Sequence, residues 1–162
     1  MKVQISSYYN IRFFKPYMIP ISTTGGDPAW YHNFKGQEYY FKDKNGVING
    51  LREESLHYPK NYFEKLDEPC QKNCPYKDKV PNCQFMINYY NYLKTLDFAV
   101  IFKELERTAN EVKRALKFEE GPIIILIVYE SSKCSCAERP ILQRWFKDNG
   151  YELKDWINED II

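Results

Sequence analysis

The sequence feature that most constrains the fold is an uninterrupted apolar run at residues 123–128, directly after the helix breaker Gly121-Pro122. The run is Ile-Ile-Ile-Leu-Ile-Val, so every residue but one is β-branched. Continuous runs of this kind are typical of a strand that is buried on both faces, as in a parallel sheet covered by helices. Residues 3–7 and 18–22 form two shorter apolar segments, and we predict that all three are strands of one sheet.

Helical periodicity is present on both sides of the apolar run. From residue 85 to 116 apolar side chains recur every three or four positions, which predicts one long amphipathic helix with Asp97 as the N-cap of its second half. Further on, Pro140 fits the first position of another helix, and Gly150 marks its end. This order of elements predicts a small layered α/β domain with a mostly parallel sheet and helices on both faces.

A long segment between the second strand and the first helix has no sustained period. It extends from about residue 29 to 84 and is rich in aromatic and polar residues. Because a structureless stretch of that length is unusual inside a compact domain, we predict an ordered aromatic insertion that carries a cysteine-rich loop. A length of 162 residues favours a single α/β domain over 1–162, and an aromatic content of 17 % excludes wholesale disorder.

The net charge and the hydropathy of the chain argue against duplex DNA and membranes as its partners. Lysine and arginine number 23 against 22 acidic residues, a net charge of +1, whereas proteins that hold duplex DNA mainly by charge are far more basic. The longest apolar run, at 122–128, is well short of the ~20 residues that span a bilayer. We therefore expect no membrane association and a cytoplasmic location, where the five cysteines are thiols or metal ligands and not disulfides.

The loop after the apolar run is the first candidate site. It contains Cys134, Cys136, Glu138 and Arg139, and it joins the carboxyl end of a buried strand to the start of a helix. Ligands gather at such carboxyl edges, and the free N–H groups of a helix start favour anions and stabilise a thiolate. We predict that Arg139 holds an anion, that Cys134 or Cys136 is a nucleophile or ligand, and that Glu138 is an acid or base.

Polar and aromatic residues after the first two strands are predicted to join this site, because the carboxyl ends of parallel strands lie at one edge of a sheet. Hydroxyl groups, a guanidinium and an aromatic ring suit a nucleotide or nucleobase. The candidate ligand-binding residues are Ser6, Ser7, Tyr9, Asn10, Arg12, Ser22 and Trp30.

Three cysteines in the insertion form a second candidate site. Cys70, Cys74 and Cys83 lie within fourteen residues of a proline-containing loop. Thiolates select zinc or an iron–sulfur cluster, and both usually require four ligands. His57, Cys134 and Cys136 are the candidates for the fourth ligand, and a closed structural site is favoured over a catalytic one.

Several blocks of the chain are similar to one known family. The C-terminal block joins the apolar run and Tyr129-Glu130 to Cys136-Ala137-Glu138-Arg139-Pro140-Ile141-Leu142-Gln143-Arg144-Trp145-Phe146. The other blocks are Ser6-Ser7-Tyr8-Tyr9-Asn10-Ile11-Arg12, Pro20-Ile21-Ser22, Pro28-Ala29-Trp30-Tyr31, Leu96-Asp97-Phe98 and the three loop cysteines. Over almost its whole length the chain resembles a cysteine-rich branch of the domain of unknown function 488 family.

The resemblance implies a compact bacterial or phage α/β domain and implies no particular substrate. Many members have Cys-His-Arg where this chain has Cys136-Ala137-Glu138-Arg139, so a Cys–His nucleophile is not expected at that position.

Three functions fit these residues. The first is an enzyme or binder that acts on a nucleotide, nucleoside or nucleic-acid base through the loop of Cys136 and Arg139. The second is a metal-stapled interaction module without catalysis, and the third is a thiol redox sensor that uses Cys134 and Cys136. A small anionic ligand or nucleotide is the expected partner. Nucleic acid is a further candidate, because Lys133, Arg139, Arg144 and Lys147 lie close together in the sequence.

Overall fold

The structure is a computed structural model that describes residues 1–32, 40–59, 84–129 and 138–158. Its strands are β1 (Lys2–Ser7), β2 (Met18–Ser22), β3 (Phe41–Lys42), β4 (Ile48–Asn49), β5 (Ile123–Val128) and β6 (Lys154–Asp155). Its α-helices are α1 (Gln84–Leu93), α2 (Phe98–Leu116) and α3 (Glu138–Asp148). Three short 3-10 helices cover Tyr8–Phe13, Ala29–Tyr31 and Glu54–Leu56.

Four strands form one all-parallel sheet in the order β2–β5–β1–β6. The register pairs Ser7 with Val128 and Ser22 with Ile127, so three strands end close to one another at the carboxyl edge. Strands β3 and β4 pair antiparallel in a separate small hairpin. The predicted α/β class with a parallel sheet is confirmed.

The central strand β5 is buried on both faces, as its sequence predicts. All residues from Ile124 to Val128 are fully buried. One face, with Ile124 and Leu126, packs under the three α-helices. The other, with Ile125 and Ile127, packs under the 3-10 helices at Tyr8–Phe13 and Ala29–Tyr31 and under Val47 of the small hairpin. The sheet therefore has helical elements on both faces, but all the described α-helices share one face.

The prediction of one continuous helix over 85–116 was wrong, because the chain forms two helices there. Helix α1 ends at Leu93, and α2 begins at Phe98. The Asp97 carboxylate accepts a hydrogen bond from the backbone N–H of Val100 at 3.3 Å, which caps α2 as predicted. Asp97 has an extended backbone, which an uninterrupted helix would not allow. A capping residue in the middle of an amphipathic pattern thus starts a new helix.

Helix α3 begins before the proline that was expected to open it. Glu138 and Arg139 already belong to the helix, so Pro140 is the third residue of its described range. Gly150 follows the helix with φ of +84°, in the left-handed conformation that favours glycine at a helix end. The predicted end of this helix is confirmed.

Candidate functional site at the carboxyl edge

The chain leaves the carboxyl ends of β1 and β5 in opposite directions. After β1 it forms the 3-10 helix Tyr8–Phe13 on one face and continues to β2, on the far side of β5. After β5 it continues to α3 on the other face and then to β6, on the far side of β1. In open α/β sheets such a switch of direction leaves a crevice at the carboxyl ends of the two strands, and ligands bind there.

A cavity of about 240 Å³ lies at this switch point. We call it the carboxyl-edge cavity. Its lining consists of Ser6, Ser7, Tyr9, Asn10, Tyr129, Arg139, Asp155 and Trp156. Four of the seven residues predicted to bind ligand, Ser6, Ser7, Tyr9 and Asn10, are among them, together with the predicted Arg139. The volume lies below the ~300–1,000 Å³ of sites for drug-sized ligands, so the cavity suits a small ring system.

The charged wall of the cavity is an ion pair. Arg139 is buried, with only 4 % of its surface exposed, and its Nη1 donates to Asp155 Oδ1 at 2.5 Å. Asp155 is half-buried, and its Oδ2 makes no hydrogen bond within the described part of the chain. The pair therefore has no net charge and presents a carboxylate oxygen that can accept a hydrogen bond.

The remaining walls are neutral. Asn10 Nδ2 donates to Ser6 Oγ at 2.9 Å, which fixes an amide and a hydroxyl side by side. Tyr9 and Tyr129 are 61 % and 53 % exposed, so their rings are accessible to a ligand in the cavity. The Arg12 guanidinium lies 4.0 Å from the centre of the Tyr9 ring, and its Nε donates to the Tyr9 carbonyl at 2.9 Å. Arg12 thus supports the aromatic wall from outside the cavity.

A buried carboxylate organises the neighbouring end of β2. Only 1 % of the Asp27 side chain is exposed. Its Oδ1 accepts hydrogen bonds from Tyr8 at 2.5 Å, from Thr24 at 3.0 Å and from Ser22. Its Oδ2 lies 2.6 Å both from His32 Nε2 and from Arg52 Nη1. We call Tyr8, Ser22, Thr24, Asp27, His32 and Arg52 the Asp27 cluster.

The contacts within the Asp27 cluster favour the ionised form of the Asp27 carboxyl and the neutral form of the Tyr8 hydroxyl. Burial alone would raise the pKa of the Asp27 carboxyl, but the hydrogen bonds it accepts outweigh burial and hold the pKa below its ordinary value. Burial, together with the neighbouring carboxylate, raises the pKa of the Tyr8 hydroxyl well above its ordinary value. Tyr8 is therefore a neutral hydrogen-bond donor at physiological pH.

The Asp27 cluster and the carboxyl-edge cavity share a wall of aromatic rings. The centre of the Tyr8 ring lies 4.8 Å from the centre of the Tyr129 ring and 6.1 Å from the centre of the Trp30 ring. Tyr129 also donates a hydrogen bond to the carbonyl of Gly26, within the turn that Asp27 closes. The cluster thereby positions Tyr129 at the cavity.

Three predicted residues lie next to the cavity without lining it. Ser22 is buried and donates to Asp27, so its hydroxyl belongs to the Asp27 cluster. Trp30 is 53 % exposed and packs edge-on against Tyr8. Glu138 is half-buried at the described start of α3.

All five cysteines, Cys70, Cys74, Cys83, Cys134 and Cys136, lie outside the described residues. Within the described ranges, no group of three or more potential metal-ligating side chains is close enough to hold a metal ion. Of the candidate fourth ligands, only His57 is described. Its Nδ1 is buried and has no hydrogen-bond partner in the described part of the chain, and burial lowers the pKa of its imidazole. His57 is therefore neutral at pH 7, the form that binds metals.

This region also contains four residues that were not predicted from the sequence: Asp27, Arg52, Asp155 and Trp156. The turn Gly25-Gly26-Asp27 was a visible signal for Asp27, because a carboxylate after a glycine turn at a strand's carboxyl end is exposed to several backbone and side-chain donors. Asp155 gave no such signal, because it reaches the cavity only through the pairing of β6 with β1.

No family model, curated protein or solved structure matches the chain. The resemblance to the domain of unknown function 488 family therefore stays a prediction. Among the described helices, none is long and apolar enough to cross a membrane.

Proposed function

We propose that the chain binds a nucleobase or nucleoside in the carboxyl-edge cavity. The observation that carries this proposal is the lining itself, which combines aromatic rings with neutral hydrogen-bonding groups at a topological switch point. Aromatic side chains stack on the face of any base. Ser6, Asn10 and Asp155 supply the donors and acceptors that the edge of a base requires.

The charge of the cavity favours a neutral ligand over an isolated anion. Arg139 and Asp155 are the charged residues among its described lining, and they neutralise each other. An anion placed against Arg139 would have to compete with a carboxylate at 2.5 Å. The part of a nucleotide that fits this cavity is therefore its base, and Arg139 acts by orienting Asp155.

Isothermal titration with free bases, the common nucleosides and ribose 5-phosphate tests the proposal. We expect at least one base or nucleoside to bind, and ribose 5-phosphate alone not to bind. Stacking is worth about 1–3 kcal/mol per base, so Tyr9→Ala should weaken binding by about fivefold to 150-fold. Tyr40→Ala is the matched control, because Tyr40 is comparably exposed (55 %) and does not line the cavity. Equal affinities of the two variants would contradict the proposal, as would the absence of any binding.

A second candidate function, a metal-stapled interaction module, is supported by His57. A neutral imidazole whose buried Nδ1 lacks a described partner suits a metal ligand. The test is the metal content of protein purified without oxygen, in the wild type and in His57→Gln and Cys74→Ser variants. Retention of one zinc per chain in the wild type and its loss in both variants would support the module. A metal-free wild-type protein would exclude it.

A further inference from the structure

A second and larger depression adjoins the carboxyl-edge cavity. It has a volume of about 440 Å³ and shares two lining residues, Asp155 and Trp156, with the cavity. Its apolar floor includes Met18 and Ile123, at the amino ends of β2 and β5. Asp155 and Trp156 therefore form a wall that the two depressions have in common.

Three lysines line this depression, which we call the lysine groove. They are Lys2, Lys15 and Lys154, and all three are exposed. Lys2 and Lys15 form no ion pair within the described residues, while Lys154 has a single weak partner, Glu152, at 4.0 Å. The one acidic residue of the described lining, Asp155, is already paired with Arg139. The described lining of the groove thus carries an excess of positive charge in a chain whose net charge is only +1.

The positions of Lys2 and Ser6 on β1 give the distance between the lysine groove and the carboxyl-edge cavity. Lys2 and Ser6 point to the same face of β1, because they are separated by an even number of residues. At roughly 3.3 Å per residue they are about 13 Å apart. The lysines therefore lie beside the cavity, along the strand, and not within it.

We propose that the ligand of this edge is a single strand of nucleic acid, with one base in the carboxyl-edge cavity and neighbouring phosphates along the lysine groove. This inference rests on the proposed function. A positive groove beside an aromatic stacking site is an arrangement by which proteins hold single strands. A paired base is not accessible to such a cavity, because it must first leave the duplex.

Fluorescence anisotropy with short single-stranded oligonucleotides of mixed sequence, at several salt concentrations, tests this inference. The groove variant is Lys2→Gln with Lys15→Gln and Lys154→Gln. The charge-matched control is Lys103→Gln with Arg107→Gln and Arg114→Gln, on exposed positions of α2. Each phosphate contact contributes about 0.7 to the slope of log affinity against log salt, so we expect the groove variant to reduce this slope by about 2. The control should leave the slope unchanged.

Two further measurements distinguish a failure of the single-strand inference from a failure of the proposed function. The groove variant should bind the free nucleoside as the wild type does, while Tyr9→Ala should weaken both nucleoside and oligonucleotide. If the nucleoside binds but the groove variant has the salt slope of the control, the single-strand inference is overturned and the proposed function stands. If no nucleoside binds and Tyr9→Ala leaves oligonucleotide binding unchanged, both are overturned.

Competition experiments separate the single strand from other anionic ligands. Duplex DNA and polyglutamate should displace the oligonucleotide poorly. Displacement by either as effective as that by unlabelled single strand would overturn the inference, because it would reduce the groove to a general anion-binding surface. Thermal melting of each variant checks that it is folded, and single lysine substitutions replace the triple variant if that variant does not fold.

Discussion

The Asp27 carboxylate accepts hydrogen bonds from five side chains while almost none of its surface meets solvent. Two of those donors are distant from Asp27 in the sequence: Tyr8 directly follows β1, and Arg52 lies in the insertion. One carboxylate therefore ties the carboxyl ends of β1 and β2 to the insertion. An asparagine in its place would leave the half-buried guanidinium of Arg52 without its charged partner and would put an NH2 donor where a second acceptor oxygen now lies.

Asp27→Asn is expected to lower the free energy of unfolding by about 3 kcal/mol, since breaking a buried charged pair costs about 3–5 kcal/mol. Urea denaturation at about pH 7 measures this cost. Glu111→Gln, on an exposed position of α2, is the control and should change stability little. A cost for Asp27→Asn no larger than that of the control would contradict the assigned role.

The same residue predicts a pH dependence. The folded pKa of Asp27 is held below its ordinary value of 3.8, so the stabilisation is fully present above that value and is lost as the pH falls towards the folded pKa. The wild-type advantage over Asp27→Asn should therefore shrink as the pH falls below about 4. An advantage that stayed constant across this range would indicate that the carboxyl has the same pKa in the folded and unfolded chain.

At the scale of elements, the pattern of apolar residues predicted the bounds of a strand or helix correctly where no capping residue interrupted the pattern. The bounds of β2 and β5 follow from their apolar runs, and the end of α3 follows from Gly150. The break between α1 and α2 was harder to predict, because apolar spacing continues through it and only the cap at Asp97 marks it. Periodicity shows which face of a segment is buried, but a single capping side chain decides where a helix starts.

Asp97→Ala is expected to lower the free energy of unfolding by about 1 kcal/mol, because the N-terminal N–H groups of α2 lose their acceptor. Asp97→Ser should retain most of the stability, since serine is also a good N-cap. Urea denaturation of both variants gives the comparison. Equal losses for alanine and serine would show that capping is not what Asp97 contributes.

At the scale of the whole molecule, the site is a product of topology. Ser6, Ser7 and Asn10 could be predicted to lie at the carboxyl edge, because a parallel sheet brings strand ends together. The ion pair of Arg139 and Asp155 could not be predicted from the sequence, because it depends on β6 pairing with β1 and not with β5. The glycine turn was a signal for Asp27 itself, but the assembly of the Asp27 cluster could not be predicted, because its members span residues 8 to 52 without any periodic spacing. Local patterns specify elements, whereas the site depends on the order in which those elements are assembled.

The central claim is that the carboxyl-edge cavity holds a base, and amide chemical-shift mapping by NMR tests it most directly. A chain of 19.4 kDa is within reach of this method, and a mixture of nucleosides can be titrated without knowing which one binds. We predict that the largest shifts occur at Ser7, Asn10, Tyr129 and Arg139, and that Tyr9→Ala reduces them. Shifts confined to the opposite edge, around Gly121, or no shifts at any nucleoside concentration, would contradict the account.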